Sequence, residues 1–111
     1  MNEDAALACL AALSQPLRLR VFRALIGAGP QGLRPAALAQ TLAIPGSTLS
    51  FHLKELMHAN LVTQERDGRQ LIYRPVITQM NALLGYLTAH CCIDAQGRDC
   101  EIIMPPGCLD C

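Results

Sequence analysis

A chain of 111 residues, 51% of them hydrophobic, has room for one domain and a modest core. The formal net charge is zero, so bulk charge carries no information about nucleic acid. No apolar run approaches the roughly 18 residues of a membrane span. The acidic start Met1-Asn2-Glu3-Asp4 lacks the basic region of a signal peptide, so a cytoplasmic protein with reduced thiols and no membrane partner is expected.

Residues 5–13 combine alanine and leucine, strong helix formers, and are apolar nearly all round, which suits an interface. Cys9 within them reads as a small core residue. Gln15-Pro16 marks a break and a new start, because proline is favoured in the first helical turn. Leu17, Val21, Ala24, Leu25 and Ala28 then form an apolar stripe with Arg18 and Arg23 off it, either solvated or against a phosphate backbone. The glycine-rich stretch at 27–32 ends this helix. A short apolar helix over Pro35–Ala43 spans about two and a half turns. Ile44-Pro45-Gly46 breaks it from a second helix, as a helix-turn-helix requires.

That second helix organises the chain. Leu49, Leu53, Leu56 and Leu61 follow the repeat of about 3.6 residues and face a core. Ser47, Phe51, Lys54 and His58 fall on the opposite side, with Thr48 and Ser50 beside them. This outer face holds a single acid, Glu55. Small hydroxyl residues at a helix N-terminus suit close approach to phosphate, since the free N–H groups there attract anions. Two β-prone runs then flank Asp67-Gly68, a hairpin signal, with Arg66 and Arg69 on either side of the tip. Leu71 and Tyr73 alternate with Gln70 and Ile72, so one face of the hairpin packs inward. A helix-turn-helix followed by a basic hairpin is a winged helix. From Val76 to His90 a last helix carries Val76, Met80, Leu83 and Leu87 at heptad-like spacing. With little domain left to cover it, this helix is expected to form a dimer seam with the N-terminal helix.

Charge is distributed unevenly. Between Gln15 and Arg74 eight bases face three acids, a balance of +5, and the remainder holds one base and six acids, −5. A basic middle between acidic ends is the pattern of a nucleic-acid reader.

Ser47-Thr48-Leu49-Ser50-Phe51-His52-Leu53-Lys54-Glu55-Leu56, followed by Ala59-Asn60-Leu61-Val62, is similar to the recognition-helix signature of the ArsR/SmtB repressors. Leu13 to Leu25 resembles the same family's helix before the motif, and the likeness covers roughly residues 7–92. It implies a mainly α winged helix-turn-helix with a β-hairpin wing, homodimeric through its N- and C-terminal helices, over residues 1–92. It also implies a repressor rather than an enzyme, bound to double-stranded operator DNA. Ser47, Thr48, Ser50, Phe51 and Lys54 would make groove contacts, and Arg66 and Arg69 would reach phosphates or the minor groove. His52 belongs to the signature and to the same interface, where it holds the helix in place. A twofold dimer would set its recognition helices about 34–36 Å apart.

Five of the six cysteines lie between Cys91 and Cys111, too clustered to staple the rest of the fold. This tail, residues 93–111 with the preceding His90-Cys91-Cys92, is the candidate sensor. Thiolates are soft ligands, and three without a carboxylate suit trivalent arsenic or antimony. The pattern resembles the arsenite-responsive members with a Cys-Cys pair and one downstream cysteine, which assigns Cys91, Cys92 and Cys100 to As(III) or Sb(III) as inducer. Cys108-x-x-Cys111 has common zinc spacing, so a divalent soft metal (zinc, cadmium or lead) and a thiol redox switch are the alternatives. The arsenic site some members carry before the recognition helix is absent here, since Arg34 to Ala43 holds no cysteine. No Ser/His/Asp set, paired carboxylates or phosphate loop suggests catalysis or a catalytic cofactor.

Overall fold

The structure, a computed structural model, describes residues 1–89. Five helices and one hairpin follow each other: α1 (Glu3–Leu13), α2 (Pro16–Ala28), α3 (Pro35–Leu42), α4 (Gly46–His58), β1 (Val62–Asp67), β2 (Gln70–Pro75) and α5 (Ile77–Thr88). This is the mainly helical winged helix-turn-helix expected from the sequence.

Local chemistry sets the helix ends. The Asn2 side chain accepts from Ala5 N at 2.7 Å, and Glu3 and Asp4 complement the dipole of α1. Gln15 does the same for α2, its Oε1 accepting from Arg18 N at 2.8 Å ahead of Pro16. The two helices of the motif end alike. After α3, Ala43 turns left-handed (φ 55°) while Ala43 N donates to Gln40 O and Ile44 N to Ala39 O. After α4, Asn60 turns left-handed (φ 61°) while Asn60 N donates to Met57 O and Leu61 N to Leu56 O. Both are Schellman closures, which satisfy carbonyls that a helix end leaves free.

The core is built where the periodicity placed it. Leu49, Leu53, Leu56 and Leu61 are buried, joined by Val21, Phe22, Leu25, Leu38, Val62, Tyr73 and Leu83. Phe22 falls outside the stripe read along α2, and it displaces Leu17, which is only half-buried. On α1 the inward residues are all small: Ala6, Cys9 and Ala12. Small side chains let α1 lie close to α4, where Cys9 Sγ donates to Ala59 O at 3.5 Å. Gln79 of α5 donates to the same carbonyl at 3.1 Å, tying α5 to that junction. Leu7 and Leu10 on α1, and Tyr86 and Leu87 on α5, stay exposed. Of the four heptad-like positions, Val76 is the N-cap of α5 and only Leu83 is buried.

The hairpin turns one residue later than the Asp67-Gly68 signal suggests. Asp67 pairs with Gln70, so Gly68 and Arg69 are the two loop residues. Gly68 has φ +67° and Arg69 stays on the negative side, the type II′ arrangement that matches strand twist. At the base of the wing Leu33 adds an unanticipated bridge to Tyr73, with N–O distances of 3.0 and 2.8 Å. Gly32 makes that approach possible: at φ +71°, a Cβ there would stand 2.6 Å from Tyr73 O.

Candidate nucleic-acid interface

The outer face of α4 is an uncovered surface. Ser47, Ser50, Phe51 and Lys54 are exposed and Thr48 is half-buried. Phe51 is 55% exposed although it is one of the two phenylalanines in the chain. An apolar ring held in water on a face of hydroxyls and one lysine offers contact to something else. Phenylalanine is among the side chains that meet a thymine methyl in a groove.

The start of α4 adds to this. Its N-cap is Pro45, no side chain caps it, and the first ladder bond runs from Leu49 N to Pro45 O at 3.0 Å. The amides before Leu49 are therefore left for an outside acceptor. A groove of about 640 Å³ opens between the N-terminus of α3 and the wing, bordered by Arg34, Gln40, Arg69 and Gln70.

The arginines on and beside the wing divide into three groups. Arg66 and Arg69 are exposed at the wing tip and form no ion pair among the described residues. Arg74 serves the fold: its Nε donates to Pro30 O at 2.9 Å and its Nη1 to Glu65 at 3.0 Å. Arg34 meets Asp67 at 3.4 Å in an exposed pair, which holds the wing only weakly. Sequence reading counted Arg34 in the basic middle without placing it at the site. Its signal was its position at the N-cap of α3, directly before Pro35.

His52 does not stand with the outer residues. It is 5% exposed, the one buried polar side chain among the described residues. Its Nδ1 accepts from Arg18 Nε at 3.4 Å. Burial holds its pKa below the ordinary histidine value, and the Arg18 guanidinium adds to that while Glu55 opposes it. Its place is beneath the exposed face of α4, against Arg18. The Tyr73 hydroxyl is pushed up by burial and stays neutral.

Cys91, Cys92, Cys100, Cys108 and Cys111 lie outside the described residues. Among those described, no group of three or more His, Cys, Asp or Glu side chains is placed to hold a metal ion. No single described helix is long and apolar enough to cross a membrane.

Residues 13–65 match a family model described as a helix-turn-helix domain. The nodulation protein NolR of Rhizobium meliloti is 30% identical over 104 residues, spanning 92% of this chain and 79% of that protein. The solved structure of an ArsR-like transcriptional regulator from Rhodococcus sp. RHA1 superposes with a TM-score of 0.70 at 26% identity, covering 84% of this chain and 82% of that one. A homodimeric winged helix-turn-helix DNA-binding domain from Mycobacterium bovis shares the fold, with a TM-score of 0.63 at 22% identity over 78% of this chain and 85% of that one.

Proposed function

The chain belongs to the ArsR-like family of winged helix-turn-helix transcriptional regulators, and from that membership we propose that it is a homodimeric repressor whose α4 enters the major groove of operator DNA. The observation that carries this reading is the outer face of α4, where Ser47, Ser50, Phe51 and Lys54 are exposed around an open helix N-terminus. Arg66 and Arg69 on the wing would meet the flanking backbone. The dimer reading is supported by Leu7, Leu10, Tyr86 and Leu87, large apolar side chains left in water on α1 and α5. The absence of an enzymatic role follows from the family, whose members here are transcription regulators.

The inducer reading rests on the tail sequence alone. Cys91, Cys92 and Cys100 offer three soft donors to trivalent arsenic or antimony, close in sequence to the end of α5. A ligand there would act on a helix of the dimer seam. By linkage, DNA would weaken inducer binding by the same factor that the inducer weakens DNA binding.

One experiment tests both halves. Duplexes enriched from a random pool by the reduced full-length chain are titrated with arsenite, antimonite, zinc and cadmium without oxygen, and DNA binding is followed by fluorescence anisotropy. Arsenite is expected to release the DNA from the wild type and not from Cys91→Ser, Cys92→Ser or Cys100→Ser. Failure to enrich any duplex removes the DNA reading. Release by zinc or cadmium alone, lost on changing Cys108 and Cys111, replaces the arsenic assignment with a divalent-metal one.

A further inference from the structure

One guanidinium joins three helices beneath the exposed face of α4. Arg18 is half-buried on α2, its backbone fixed by the Gln15 cap. Its Nε donates to His52 Nδ1 on α4 at 3.4 Å, and its Nη1 donates to Ala12 O on α1 at 3.4 Å. Its Cζ lies 5.8 Å from the Phe51 ring centroid, within cation–π range. The rings of Phe51 and His52 meet edge to face at 5.4 Å. Among the described residues no carboxylate lies within 4.0 Å of this cation.

We propose that Arg18 is a positioning residue for the recognition helix, locking α4 to α1 and α2 through the neutral imidazole of His52, so that protonation of His52 releases the lock and lowers DNA affinity. This rests on the DNA-binding reading above.

The donor–acceptor chemistry gives the switch its direction. His52 Nδ1 accepts a hydrogen bond, so the ring carries its one proton on Nε2. On protonation both ring nitrogens become donors, and an N–H would face a guanidinium cation. The charged groups facing His52 are Arg18 from α2 and Glu55 on its own helix. The α1 residues beside Arg18 are alanines, α3 has no titratable side chain, and β1 begins with the uncharged Val62-Thr63-Gln64. A cavity of about 190 Å³ between α1 and α4, bordered by Arg18, Glu55 and His58, gives water access to the junction. Because burial and Arg18 lower the folded-state pKa from 6.5, the neutral lock persists through neutral pH and is lost only as pH falls through that lowered pKa, on the acid side of 6.5. A neutral His52 also leaves Phe51 backed by a cation that does not itself need to reach DNA.

The test uses the full-length chain, first alone and then on the enriched duplexes. In the free protein, nitrogen NMR of His52 should show an unprotonated Nδ1 at neutral pH, and its titration should move the Phe51 ring and Ala12 amide resonances together. On DNA, wild-type affinity should hold between roughly pH 7.5 and 6.5 and fall severalfold as the pH is lowered further to about 5. His52→Asn, whose Oδ1 falls where Nδ1 sits, should bind well and show no such pH dependence. Arg18→Ala should lose about tenfold at neutral pH with an unchanged salt dependence, and Arg18→Lys should not rescue it. Rescue by lysine, or a salt slope reduced by about one, would make Arg18 a phosphate contact and overturn the proposal. A wild-type pH profile in His52→Asn would overturn it as well, and would point to His58. A Phe51 ring that ignores the His52 titration in the free protein overturns it whether or not any duplex binds.

Discussion

Phe51 and His52 are neighbours on one helix with their environments exchanged: the apolar ring is 55% exposed and the imidazole 5%. Inside, Leu49, Leu53 and Leu56 share the core with His52, whose polar nitrogen is accommodated because Arg18 reaches across from α2 to donate to it. Outside, Phe51 stands among hydroxyls and a lysine, backed by the Arg18 guanidinium on one side and more than half exposed. Residue type alone would sort these two the other way. Position on the helix sorts them, and the departure from ordinary hydropathy falls on the side proposed to meet DNA.

The sharpest way to break this contrast is on the inner face. Leu53→Ala should cost about 3 kcal/mol in urea unfolding, through lost burial and the cavity left behind. A cost under about 1 kcal/mol would mean that the inner face is not the core. On the outer face the same kind of truncation should do the opposite. Phe51→Ala should leave stability within about 0.5 kcal/mol while lowering affinity for the enriched duplexes about tenfold. Equal effects on folding and binding would dissolve the distinction between the faces. The smallest effect is expected at the end of α3, which neither face controls. Ala43 holds φ 55°, a conformation that disfavours a side chain, so Ala43→Gly should raise stability by up to about 1 kcal/mol with DNA binding unchanged.

The helix order, the break before α4 and the buried leucines were legible because each is a local or periodic signal. The Asp67-Gly68 hairpin was legible too, but its turn was placed one residue early. The Asp-Gly pair favours a turn centred on itself, whereas the strand register seats Gly68 and Arg69 in the loop. Three features had no local signal. Leu33 pairs with Tyr73 across 40 positions, and Gly32 reads as one more glycine at a helix end. Arg18 reaches His52 across 34 residues, a contact that neither segment discloses alone. Ser47, Ser50, Phe51 and Lys54 are exposed on the side of α4 that the rule of about 100° per residue gives them, whereas His52, expected at the same interface, is buried behind it. Leu87, whose heptad-like spacing placed it in an expected dimer seam, is exposed among the described residues.

The paired helix closures at Ala43 and Asn60 have an evolutionary consequence. They fix where α3 and α4 stop, and the inner leucines fix how α4 is seated, so the length and rotation of the helix do not depend on Ser47, Ser50, Phe51 or Lys54. Those four positions are free to drift without refolding the domain. Under the proposed reading, a lineage carrying this scaffold would exchange one target sequence for another by single substitutions there, while a residue inserted between Phe51 and Leu53 would turn the two halves of α4 by about 100° relative to each other and split the outer face.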